Sequence, residues 1–265
     1  MKLLPRLLTA ALLSSVLVSC QKDKTLDSNT EPISEDVLTK IYNLGFGKQN
    51  VQRHPEGYLV EGDIVLTEEM LNSANDRKLM RVAGEEQYHT TNLVRNLPRN
   101  ITIRVASTLP SRYVTAVNSA ISRFNAEGLR ITMSRVTSGG NIVISAAPNN
   151  AQYLASAAFP TSTGNPYNSV LVNRRYLDVW DINTVTSIMA HEIGHCIGFR
   201  HTDYMSRQYS CGGSPVNEGA STVGAVYIPG TPTGPDPNSW MLACIGNGVN
   251  RPFNANDKVA LAYVY

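Results

Sequence analysis

His191-Glu192-Ile193-Gly194-His195-Cys196-Ile197-Gly198-Phe199-Arg200-His201 spells H-E-x-x-H-x-x-G-x-x-H without a departure. On a helix, residues four apart lie one turn above one another on the same face. His191 and His195 therefore point their imidazoles at one ion, and Glu192 flanks the same place. A third ligand on the next helical turn would be carried out of reach. Gly198 removes that obstacle, because glycine ends a helix in the left-handed conformation and turns the chain back. His201 then approaches from the other side. Three neutral imidazoles with an open fourth position describe a catalytic zinc site, since a structural site is closed by a fourth protein ligand. The chain holds five histidines and three of them fall in this stretch, which argues against an accidental match.

These residues resemble the metzincin metallopeptidases. The spelling HEIGH, followed by Gly198-Phe199-Arg200-His201-Thr202-Asp203, resembles the dual-action HEIGH metallopeptidase family. The resemblance implies an α+β metzincin-like fold, with a mixed twisted sheet, an active-site helix and an irregular C-terminal subdomain that ends in a helix. It also implies a methionine in a tight turn beneath the metal, and Met241 in Ser239-Trp240-Met241 fills that role. Astacin-like relatives carry a tyrosine two residues after that methionine. Here the position is Ala243, so no residue is assigned to stabilise the oxyanion.

The rest of the chain surrounds this centre. Residues 1–19 carry Lys2 and Arg6, then an apolar run from Leu7 to Val18, and read as a secretory signal too short to span a membrane. They end in Leu17-Val18-Ser19-Cys20, which resembles a bacterial lipobox; Cys20 is the expected lipidated residue, the alternative being a soluble secreted protein. The expected location is the outer membrane or cell surface of a bacterium, with attachment by lipid alone. Residues 20–35 are polar and read as a tether. Residues 36–85 read as a pro-region or N-terminal subdomain, and 86–265 as the catalytic domain. The formal charge of +2 comes from Lys2 and Arg6 in the leader, so the remainder is neutral and has no basic block for nucleic acid. A monomer is expected. At 42% hydrophobic and 17% charged residues, the composition suits a chain that buries a core.

Within the catalytic region, Ile101, Ile103 and Val105 alternate as a strand. Pro110 opens a helix that Gly128 ends, and two more strands follow at Leu129–Met133 and Asn141–Ser145. Ser156, Ala157, Ala158 and Phe159 form an expected edge strand, where a peptide substrate pairs by its main chain. Asn183–Gly198 is the active-site helix, and Asn256 is the expected cap of a last helix over 254–265. Between His201 and Met241 the chain is rich in Gly, Pro, Ser and Thr. Cys211 and Cys244 flank much of that stretch and are candidates for a disulfide in an exported protein; the other pairing joins Cys196 to one of them.

The mechanism expected is amide hydrolysis by a zinc endopeptidase, with Glu192 as general base. Two other classes stay open: a surface binding protein that cuts nothing, and a zinc hydrolase acting on a small ester or cell-wall amide. Glu61-Gly62-Asp63-Ile64 resembles the pro-segment motif of astacin-like enzymes, in which an aspartate reaches the zinc. Asp63 is the candidate latency ligand, and the exposed Arg77, Lys78 and Arg81 suit the activating cleavage. The ordinary alternative for Gly62-Asp63 is a turn between two strand pieces.

Overall fold

Alternation of apolar side chains builds the central sheet. In β5 (Arg99–Val105), Ile101 and Ile103 are fully buried, each burial stabilising by about 1.5–3 kcal/mol. β5 pairs in parallel with β6 (Ile131–Val136) on one side and β7 (Ile142–Ala146) on the other. Parallel neighbours need a crossover, and α3 (Ser111–Asn125) supplies the one between β5 and β6. It buries Tyr113, Ala116, Val117, Ala120, Ile121 and Phe124. β9 (Ser169–Val172) continues the parallel sheet beside β7. The two-residue β8 (Ala155–Ser156) lies antiparallel at the edge, giving the order β6-β5-β7-β9-β8. The sheet is mixed, as expected.

The computed structural model describes residues 32–44, 46–72, 87–214, 225–232 and 235–265. The leader, Cys20, most of the tether and the Arg77, Lys78 and Arg81 stretch lie outside the described residues. The tether's last residues already belong to an element, since Ser34 caps α1 (Glu35–Asn43). β1 (Gln52–His54), β2 (Gly57–Val60) and β3 (Ile64–Leu66) then form an antiparallel three-stranded sheet, followed by α2 (Glu68–Asn72).

This N-terminal segment has a small apolar cluster of its own: Ile41, Leu44, Phe46, Val60, Ile64, Leu66 and Leu71. The cluster is completed by Phe159 from the far end of the edge segment, while Leu59 and Val65 join the main core. The two parts are thus stitched through each other's side chains.

α5 (Ile182–Ile197) lies against α3 and is capped by Asp181, whose side chain accepts from the backbone N–H of Asn183 and Thr184. From Thr184 to Ile197 it is buried on every side, so it is a core helix rather than an amphipathic one. Three features were not expected from the sequence: the short helices α4 (Arg174–Leu177) and α6 (Gln208–Cys211), and the pairing of β4 (Tyr88–His89) with β10 (Val226–Tyr227).

The last helix, α7 (Ala255–Val264), corrects one expectation. Its cap is Asn254, not Asn256. Asn254 accepts from the N–H of Asp257, and Asp257 reaches back to the N–H of Asn254, a reciprocal capping box. Asn256 instead donates its side-chain amide to Asp236. Cys211 and Cys244 form a disulfide, and Cys196 is a buried free thiol on α5. Among the described residues no helix is long and apolar enough to cross a membrane.

Candidate metal centre

Helix α5 stacks His191 and His195 one turn apart, with their Nε2 atoms 3.0 Å from each other. Gly198 ends the helix at φ 112°, a conformation that suits glycine, and its own N–H closes the last turn onto Gly194 and His195. The chain then doubles back and brings the His201 ring to centroid distances of 5.2 Å from His191 and 4.9 Å from His195. The fourth member is Asp63, from the turn between β2 and β3. Its Oδ2 lies 3.1 Å from His201 Nε2 and 3.4 Å from His191 Nε2. One ligand atom from each of Asp63, His191, His195 and His201 lies within 4.8 Å of the others, and all four residues are buried.

The protons on two of the rings are fixed by their outer partners. His191 Nδ1 is 3.0 Å from the carbonyl of Trp240, and His195 Nδ1 is 2.8 Å from that of Phe199. A carbonyl only accepts, so each Nδ1 carries the proton and each Nε2 is left with a lone pair. Two lone pairs facing one another at 3.0 Å repel unless a cation lies between them. The donor set therefore fits a metal ion.

The electrostatics agree with that fit. Burial alone pushes the Asp63 carboxyl up, but His201 beside it holds it well below the usual carboxylate range. Burial drives His195 well down, and the neighbouring His191 and His201 push it the same way. Burial and then the charge of Asp63 raise Glu192 well above its ordinary value, with His201 opposing. Glu192 Oε2 is sequestered without a hydrogen-bond partner. Beside Glu192 and Asp63 a cavity of about 270 Å³ opens, lined in part by Tyr153, Leu154, Ile188, Leu242, Ile245 and Arg251.

Met241 is buried in a turn under α5, and its carbonyl accepts from the N–H of Thr202. Beneath it lies a support that sequence reasoning missed. Asp257, which reaches back to Asn254 in the first turn of α7, accepts from Trp240 N–H, from the Ser239 hydroxyl and from the Gln87 amide. That holds the turn, and the turn's Trp240 carbonyl orients His191. Asp203 ties down the next residues by accepting from Ala243 N–H and from the Ser210 hydroxyl.

The glycine of HEIGH has a packing reason. A Cβ at Gly194 would meet Trp240 at 2.5 Å and Met241 Sδ at 2.8 Å. Alanine at a helix interior ordinarily gains up to about 1 kcal/mol over glycine, but overpacking costs about 1–3 kcal/mol. Gly194→Ala is accordingly expected to lower stability in urea unfolding, by about 1 kcal/mol or more, and to weaken metal binding as the turn shifts. An unchanged or raised midpoint would mean that the turn yields freely.

The expected edge strand is corrected: of its four residues only Ser156 lies in β8, Ala157 makes an isolated bridge, and Ala158 and Phe159 leave the sheet. Ala157 donates its N–H to the Asp63 carbonyl at 2.9 Å and accepts from Val65 N–H at 2.6 Å, so residues 63–65 add to it as a parallel bridge. Ser156 is held by His54 Nε2 at 3.2 Å, and Phe159 packs on Phe46. Ala158 is buried in the main core.

Residues 58–265 match the family described as Dual-action HEIGH metallo-peptidase. Among curated proteins none matches this sequence. Two solved structures of myroilysin are similar in part. One is 16% identical with a TM-score of 0.43, covering 65% of this chain and 82% of the other. The second is 16% identical with a TM-score of 0.42, covering 71% and 98%. With the family match spanning most of the chain and its histidine signature gathered into one metal-ready cluster, this protein belongs to the dual-action HEIGH metallopeptidases.

Proposed function

We propose that the chain is a zinc-dependent endopeptidase, made latent by its own N-terminal segment and exported with a lipid on Cys20. One observation carries the reading: the Nε2 atoms of His191 and His195 face each other at 3.0 Å while carbonyls engage both Nδ1 atoms. Borderline-soft imidazoles in this number suit zinc. Bound there, zinc supplies Lewis acidity to a substrate carbonyl and lowers the pKa of water.

The residues do the rest. Glu192, buried one position beyond a ligand, takes a proton at its carboxylate from the attacking water and returns it to the leaving nitrogen. The backbone of Ala157 holds the peptide by main-chain hydrogen bonds. The cavity beside Tyr153, Leu154 and Ile188 accepts a neighbouring side chain. In the latent form the Asp63 carboxylate would be a further ligand beside the three imidazoles, and residues 63–65 fill the edge at Ala157. They run parallel to it, whereas a substrate is expected to run antiparallel, so the segment's own peptide bonds are presented in reverse. The substrate is a protein or peptide, the enzyme works as a monomer, membrane attachment is by lipid alone, and nucleic acid is no partner.

The test is cleavage of a peptide library by the full chain before and after limited proteolysis. The untreated chain is expected to be silent. The processed chain should cut internal bonds, stop on chelation and recover with zinc. Zinc bound by a processed chain that cuts nothing would replace the peptidase with a binding protein.

A further inference from the structure

Arg200 lies immediately before the ligand His201, and its side chain is fully buried. Its Nη2 donates to Glu61 Oε1 at 2.5 Å, which is its only ion pair among the described residues. Its Nε and Nη1 have no hydrogen-bond partner. The guanidinium stacks between Phe46, at 4.5 Å from the ring centroid, and Tyr204, at 5.3 Å. A planar fork of five donors is thus used through a single bond, while the facing carboxylate also keeps Oε2 without a hydrogen bond.

Both Glu61 and Phe46 belong to the N-terminal segment. Glu61 is moreover held at φ 56°, the left-handed region that a non-glycine residue seldom adopts, and the fold keeps it there facing Arg200. When the segment leaves, Arg200 loses its anion and one of its two aromatic faces, but it stays fixed beside the metal ligands. A cation so placed draws in the next available anion, and arginine geometry favours a carboxylate.

We propose that Arg200 is a specificity residue of the activated enzyme, which binds a substrate carboxylate where Glu61 sits in the latent form. This rests on the reading of the N-terminal segment, residues 36–85, as a displaceable latency segment. Glu61 Oε2 lies 3.8 Å from Nδ1 of His201, so the recognised group lies next to a member of the metal cluster. It is therefore close to the scissile bond. The carboxylate comes either from an Asp or Glu side chain or from the free C-terminus of a peptide.

The full-length protein, processed by limited proteolysis, is assayed on two matched pairs of peptides. One pair carries Glu or Gln within two residues of the cleaved bond. The other carries a free or an amidated C-terminus at the same distance. The expected result is a preference of about tenfold or more in kcat/KM for the charged member of one pair, which also names the source of the carboxylate. Arg200→Lys should keep part of that preference and Arg200→Gln should bring the ratio near one, whatever the absolute rates. Should the variants fail to fold, the ratio measured on the natural sequence still decides. Equal cleavage of both members of both pairs, or a preference that survives in Arg200→Gln, overturns the inference and leaves the peptidase reading intact. Failure to cleave any of the four peptides overturns both.

Discussion

Glu192→Ala in the processed enzyme should bind its metal as before and lose turnover by about 10²-fold or more, the scale of a lost general base. The expectation follows from where the carboxylate sits. It stands beside His191 on α5 but outside the four-residue cluster of Asp63, His191, His195 and His201, so the imidazoles remain when it is removed. It is 2% exposed and has a sequestered oxygen without a partner, so nothing structural depends on that oxygen. His201→Ala should behave differently, losing metal and activity together, because two imidazoles make an incomplete site. Metal content per chain, measured beside kcat for both variants, separates the two roles. Loss of metal from Glu192→Ala would make Glu192 a ligand or a support for one.

Much of the centre was legible because its logic is local. Helical spacing places His191 over His195, and a glycine at 198 permits the reversal that brings in His201; both follow from the residues themselves. The strand–helix–strand order of β5, α3 and β6 was legible for a similar reason, since alternation and helical period are written within each element. What could not be read depends on partners far apart in the chain. The bond from the Gln87 amide to Asp257 spans 170 residues, and nothing near either residue announces it. β4 and β10 have two residues each, too few to show a period. Asn254 and Asn256 are equally good caps by residue type, and what separates them is that Asp257 stands three residues after Asn254 and completes the capping box. The ion pair of Arg200 with Glu61 was missed because a buried arginine looks the same in sequence as an exposed one.

The last expected result is that Asp63→Ala makes the unprocessed chain active. Asp63 Oδ2 stands among the imidazoles, and the surrounding histidines keep it ionised despite its burial. Its charge thus helps to hold the segment to the site. Truncating one partner of a buried, hydrogen-bonded charge pair typically costs about 2–5 kcal/mol. At about 1.4 kcal/mol for each factor of ten, the displaced form should become more populated by about 30-fold or more. The segment keeps its other holds, among them the ion pair of Glu61 with Arg200, the hydrogen bond of Tyr167 to Glu56 and the backbone bonds at Ala157. Activity should therefore appear first on short peptides, which need little of the edge, and only weakly on folded proteins. Asp63→Asn should lie between alanine and the natural residue, since an amide oxygen fills the space but is a poor anion for the metal. A full-length Asp63→Ala chain that holds its zinc and yet stays as silent as the natural sequence on a short peptide would show that latency resides in the covered edge and not in the aspartate.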